Sequence, residues 1–81
     1  MIKNIACGFK HTLFVSESGH VYSMGSNSHG QLGIGDSNIK QKNTPTLVEA
    51  APLVESMVTK VSCGNFHSLA LTESGVAFAW G

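Results

Sequence analysis

The chain has 81 residues and a mass of 8.5 kDa, with five lysines, five acidic residues and a formal net charge of zero. It has no arginine, which excludes bidentate reading of bases or phosphates and, with it, a basic nucleic-acid face. Charged residues make up 12% of the sequence against about 25% in ordinary globular chains, so part of the surface is expected to be covered by other protein.

Residues 1–8 hold no cleavable hydrophobic stretch, and no apolar run approaches the roughly 18 residues of a spanning helix. Two cysteines are too few for the disulfide framework of a small secreted domain. The expectation is a soluble intracellular protein, cytoplasmic or nuclear, with no membrane partner. Thr12–Ser16 is rich in branched and aromatic residues and reads as a strand. Glu-Ser-Gly then turns the chain, and His20–Met24 returns as the second strand of a hairpin. A long Gly/Ser/Asn stretch between Gly25 and Thr44 reads as an exposed connection. Over residues 44–58 two readings compete. Leu47, Ala51, Val54 and Val58 have helical spacing, but Pro52 inside that pattern costs a helix about 3 kcal/mol. The preferred assignment is a short strand near Thr46–Glu49, a turn around Pro52 and a new strand from about Val58. Ser68–Thr72 and Val76–Trp80 form a second hairpin with the same Glu-Ser-Gly turn.

The two hairpins are copies. Residues 5–25 align without gaps to 61–81 at an offset of 56, with eight of 21 positions identical: Cys, Gly, His, Leu, Glu, Ser, Gly and the final Gly. The period exceeds that of the common helical repeats and approaches one propeller blade. Along the second return strand, Val76, Phe78 and Trp80 alternate with Ala77 and Ala79, and the first copy opposes His20, Tyr22 and Met24 to Val21 and Ser23. Leu13-Phe14-Val15 and Leu69-Ala70-Leu71 are apolar on both faces. Sheets covered on both sides meet that demand, as stacked propeller blades do.

Cys-Gly-x-x-His-Thr-Leu at 7–13, Ser-Asn-Ser-His-Gly-Gln-Leu-Gly-Ile-Gly-Asp at 26–36, Thr-Pro-Thr-Leu-Val at 44–48 and Val-Ser-Cys-Gly-Asn-Phe-His-Ser-Leu at 61–69 resemble the regulator of chromosome condensation repeat. The resemblance covers about one and a half units. It implies an all-β fold, a β-propeller fragment with one full four-stranded blade over residues 1–60 and the start of the next over 61–81. The parent would be seven-bladed. Met24 stands where the family usually has Trp, as at Trp80, and neither fold nor register should suffer. A unit that stops inside a blade leaves open strand edges and bare apolar faces, so the chain is expected to be a piece of a larger propeller, with that propeller's other blades as its first partners, or a truncated gene product.

The motif residues that should shape the repeat are Gly8, His11, Gly19 and Gly25 in the first unit. Gly30, Gln31, Leu32, Gly33 and Gly35 shape the connection, with Gly33 and Gly35 giving tight backbone and Leu32 plugging the core. Gly64, His67, Gly75, Trp80 and Gly81 serve the second unit. Cys7-x₃-His11 and Cys63-x₃-His67 invite a zinc site, but repeat-equivalent pairs are related by the blade rotation and should not converge. Buried thiols beside histidines that bond neighbouring backbone are expected instead, with no metal, no cofactor and no Cys7–Cys63 disulfide. On that basis His11→Ala costs about 1–3 kcal/mol through an orphaned partner. The glycine spacing at 25–32 mimics a phosphate loop, but Gln31 and Leu32 occupy the places of its Lys and Ser/Thr. No serine sits in a nucleophile elbow, Glu17 and Glu73 are solvated turn residues, and His20 is an exposed loop-end residue. The expected function is therefore a non-enzymatic protein-interaction module, with His29, Asp36, Lys40 and Lys42 in the loop that a protein partner would contact. The resemblance implies one alternative, guanine-nucleotide exchange on a small Ran-type GTPase. That activity draws on loops from several blades, so no functional residue is carried over. A zinc-dependent enzyme is the remaining, least favoured class.

Overall fold

The computed structural model describes residues 2–36, 38–49, 53 and 56–81. Seven strands form two antiparallel sheets. The first sheet is a meander of β1 (Ile2–Cys7), β2 (His11–Ser16), β3 (Val21–Ser26) and β4 (Gln41–Leu47). The second repeats the plan with β5 (Val58–Cys63), β6 (Ser68–Thr72) and β7 (Ala77–Trp80). Both hairpin turns close in the same way. The Ser16 amide donates to the His20 carbonyl at 3.0 Å and the Thr72 amide to the Val76 carbonyl at 2.9 Å.

Strand alternation decides how the sheets meet. In β2 and β3 the register sets Leu13 opposite Ser23 and Val15 opposite Val21, and all four are buried on the face turned to the second sheet. Val58, Val61 and Ala70 answer from the second sheet, with Phe78 and Trp80 packed against the same core. Each fully buried branched side chain here contributes about 1.5–3 kcal/mol of transfer free energy. The opposite faces carry the repeat-equivalent residues. Ile5, Phe14 and Tyr22 on the far side of the first sheet correspond to Val61, Ala70 and Phe78, and Phe14 stacks on Tyr22 with ring centroids 5.2 Å apart. Leu69, Leu71 and Ala77 correspond to the buried Leu13, Val15 and Val21, yet all three are exposed. Each sheet thus repeats, on its open side, the face that its neighbour covers on the other.

Four sequence expectations need correction. The fourth strand runs over Gln41–Leu47, not Thr46–Glu49, because Gly25 and Ser26 pair with Lys42 and Gln41. Gln-Lys-Asn-Thr-Pro has weak strand propensity, and Pro45 is tolerated because β4 is an edge strand among the described residues. The helical alternative over 44–58 fails at both ends, where β4 and β5 lie; the expected turn around Pro52 falls outside the described residues. The Gly25–Thr44 connection is not simply exposed either, since Asn27, Gln31 and Leu32 are buried. The return strands begin one residue later than expected, at Val21 and Ala77, because His20 and Val76 belong to the turns.

Candidate functional site

The β3–β4 connection folds into the seam between the sheets. Asn27 organises it: its Oδ1 accepts from the Leu32 amide at 3.1 Å and its Nδ2 donates to the Ile39 carbonyl at 2.9 Å. That closes the loop and drives Gln31 and Leu32 inward, where both are fully buried. The Gln31 carbonyl then accepts two hydrogen bonds from the second sheet, from the Ser68 hydroxyl at 2.7 Å and the Trp80 indole N–H at 2.9 Å. Ser23 donates to the Leu32 carbonyl at 2.8 Å from the first sheet. The side chain of Gln31 stays within its own loop, its Oε1 accepting from the His29 amide at 2.7 Å. Main-chain carbonyls of the Gln-Leu pair are therefore the joint between the sheets. That joint is the physical reason for the 27–35 motif.

His11 extends the joint. Its Nε2 lies 3.1 Å from Ser68 Oγ, and because the Ser68 hydrogen is given to Gln31, the imidazole must be the donor. Its Nδ1 then keeps a lone pair, buried without a partner among the described residues, as is Gln31 Nε2. His11 therefore reaches a side chain across the seam, and the His67 backbone carbonyl also lies close to its ring. Its repeat partner His67 is exposed, because among the described residues no third sheet supplies the counterpart of Ser68.

Burial holds the His11 pKa below its ordinary value of 6.5, with the nearby His67 backbone carbonyl opposing and His67 charge adding to that effect. Unfolded His11 takes up its proton near 6.5, whereas folded His11 does so only at lower pH. Stability from this group is complete above 6.5 and declines as pH falls through 6.5 toward the folded value. The decline is at most about tenfold in the folding constant per pH unit. Urea midpoints measured across that window should fall in the wild type, and this part of the slope should be missing from His11→Gln.

The cysteines differ from the buried pair expected. Cys7 is exposed and Cys63 half-buried, since β1 shows its Cys side outward while β5 turns its own toward the seam; both are free thiols. Burial pushes the Cys63 thiol pKa above its ordinary value. Titration with a chromogenic disulfide at mildly alkaline pH should show one fast thiol, Cys7, and one slow one. Equal rates would contradict the burial difference.

At the end of the sheets where β1 turns into β2, three loops converge. Phe9 from the β1–β2 loop meets Phe66 from the β5–β6 loop edge to face, with centroids 6.0 Å apart. His29 lies against Phe66 at 4.3 Å, and Lys10 Nζ stands 5.5 Å above the Phe9 ring. Both phenyl rings are open to solvent, Phe9 at 64% and Phe66 at 41% exposure. The loops are tied together, since the Phe9 amide donates to the Asn65 carbonyl at 3.2 Å. Beside the rings the 27–36 loop frames an open concavity of about 600 Å³, with His29, Asp36 and Lys40 in its lining.

The structure distributes the expected motif residues over both settings. Gly19 and Gly75 sit in the hairpin turns; Gly25, Gly30, Gly33, Gly35 and Gly81 share their positive φ. Gly8 and Gly64 lie against the rings of His11 and His67. His29, Asp36 and Lys40 meet at the concavity, while Lys42 lines a second hollow on β4. Phe9, Lys10, Phe66 and Ser68 escaped the sequence reading. Aligning the repeats sets Phe9 opposite Asn65 and Lys10 opposite Phe66, so neither ring stands out as a repeated feature. Their meeting depends on neighbouring loops, not on equivalent positions.

A four-stranded and a three-stranded sheet stacked in sequence, joined by a loop wedged into their seam, have the arrangement of one blade of a β-propeller and part of the next. The regulator of chromosome condensation (RCC1) repeat matches residues 18–71, a second form of it matches 2–31, and the chain belongs to that family. It is 40% identical over 80 residues to the Ras guanine nucleotide exchange factor C of Dictyostelium discoideum, spanning 99% of this chain and 5% of that protein. Among solved structures it superposes on human WBSCR16 with a TM-score of 0.88 and 33% identity, over 100% of this chain and 20% of the other. Yeast RCC1 (Prp20), solved bound to Kap60, matches with a TM-score of 0.86 and 28% identity over the same shares. The chain thus spans a small part of each of these proteins.

Proposed function

We propose that the chain is a non-enzymatic protein-interaction module, one full blade and part of the next from a larger propeller that meets its partner with the loop end. Residues 1–60 are then one repeat and 61–81 the start of the next, and sister blades cover the open faces around Phe14 and Leu69. The observation that carries this is how the side chains are divided. His11, Ser68 and Gln31, which hydrogen-bond along one chain, are buried and committed to the joint. What the loop end offers to solvent is Phe9, Phe66, His29 and Lys10. Aromatic rings on pre-ordered loops are interface anchors, not catalytic groups.

Likeness to the Dictyostelium exchange factor favours a second reading, in which the parent acts on a small GTPase of Ran or Ras type. Both readings put the protein inside the cell, in cytoplasm or nucleus. Photo-crosslinking from a benzoylphenylalanine at position 9, against the same probe at position 17 on the opposite end, tests the first. Discrete protein adducts from position 9 alone are expected; none, or equal adducts from both ends, would contradict it. Faster release of fluorescent GDP from a Ran-type GTPase in the presence of the whole protein would replace the module reading with exchange.

A further inference from the structure

Besides Ile2 and Met57, the exposed large apolar residues among those described fall into two groups. Leu69, Leu71, Ile5 and Val76 lie on sheet faces or at a hairpin, where the repeat equivalence accounts for them. Phe9 and Phe66 do not, for they project from the end of the sheets, where no sister blade stacks.

The charges around them are unevenly placed. Lys10, Lys40 and Lys42 belong to the loop end or its adjoining strand, with Asp36 as the one carboxylate there among the described residues. Asp36 already accepts the Asn38 amide at 2.9 Å. Glu17, Glu49 and Glu73 all lie at the opposite end, where the β2–β3 and β6–β7 turns and the end of β4 gather, with Lys3 and Lys60 on the nearby strand halves. Among the described residues the loop end therefore gathers three lysines against one carboxylate, whereas the opposite end sets three carboxylates against two lysines, with Glu49 sharing the hollow on β4 with Lys42.

We infer that the loop end takes a carboxylate-rich segment of a partner protein, anchored by an apolar side chain between Phe9 and Phe66; this rests on the interaction reading above. The two rings form an edge-to-face corner that buries an aliphatic or aromatic residue, and the concavity beside His29 continues the path for the flanking chain. Lys10 over the Phe9 ring sets a cation where the partner's first carboxylate falls. Desolvating the Lys10–Phe9 pair strengthens it, so anchor and charge reinforce each other.

The test is fluorescence anisotropy on the 81-residue chain with a labelled short peptide of Glu and Asp around a Phe-Leu pair. Two further probes are the same peptide with Lys in place of every acid and a single-stranded thymidine oligonucleotide. Binding of the acidic peptide is expected, weakening with added salt. Phe9→Ser with Phe66→Ser should weaken it by about tenfold or more, and Lys10→Glu by several-fold. These residues are exposed, so the Trp80 indole signal should stay in place and report an intact seam. Absence of acidic-peptide binding, equal binding of the Lys peptide, preference for the oligonucleotide, or indifference to the Phe substitutions would each overturn the inference. Binding of the Lys peptide at Phe9 and Phe66 would overturn the acidic partner alone and leave the interaction module standing.

Discussion

Gly25→Ala should abolish the cooperative fold. Gly25 sits at φ +110°, and a Cβ there would overlap the Lys10 carbonyl and come within 2.8 Å of the His11 Cα. The unfavourable φ alone costs about 1–3 kcal/mol. The overlap adds to it, because the obstacle is backbone. Lys10 cannot retreat without breaking the bond its carbonyl accepts from the Ser26 amide at 2.7 Å, the bond that aligns β2, β3 and the loop entrance. A small core supplies roughly 3–5 kcal/mol in total, so the variant should show no cooperative thermal transition. Gly30→Ala is the control: its φ is +76° with nothing within 4 Å of the added carbon, and the loss should be limited to backbone strain. Equal stability of the two variants by calorimetry would mean that the Lys10 carbonyl does not close against Gly25 at the loop entrance.

Leu32→Ala is expected to cost about 2–5 kcal/mol, the range for emptying a fully buried leucine site. The backbone bonds of residue 32 survive the truncation, since Asn27 Oδ1 accepts its amide and its carbonyl accepts from Ser23. The loss is therefore of packing, and the loop should loosen before the sheets separate. Denaturant midpoints should fall strongly while circular dichroism in dilute buffer keeps its sheet signature. A change below about 1 kcal/mol would mean that the loop rests on the surface rather than in the seam.

Much of this architecture was legible in the chain. Two copies of one hairpin, each with Glu-Ser-Gly, set the strands from His11 to Met24 and from Ser68 to Trp80 almost to the residue, because alternation and turn chemistry are local. The β4 strand was not, because Gln41 to Pro45 carries little strand propensity and pairs only through its register with Gly25 and Ser26. The burial of the 27–35 motif was partly visible. Leu32 as a plug followed from hydrophobicity, but the role of the Gln31 carbonyl did not, since a main-chain acceptor leaves no mark on residue type. Likewise Cys7 and Cys63, identical in sequence setting, differ in exposure only because one blade has a neighbour on that side. The loop end was the least legible part. His29, Asp36 and Lys40 were singled out by chain position, whereas Phe9 and Phe66 meet through the packing of consecutive blades, which no single-unit pattern encodes.

The central claim is that the loop carrying Gln31 and Leu32 is locked between the two sheets. The chain has one tryptophan, so its indole N–H gives a single resolved signal in a nitrogen–proton correlation spectrum. This proton, held 2.9 Å from the Gln31 carbonyl, should exchange slowly with water and show nuclear Overhauser contacts to Gly33. A rapidly exchanging indole at its random-coil position, in a sample whose circular dichroism shows folded sheet, would contradict it.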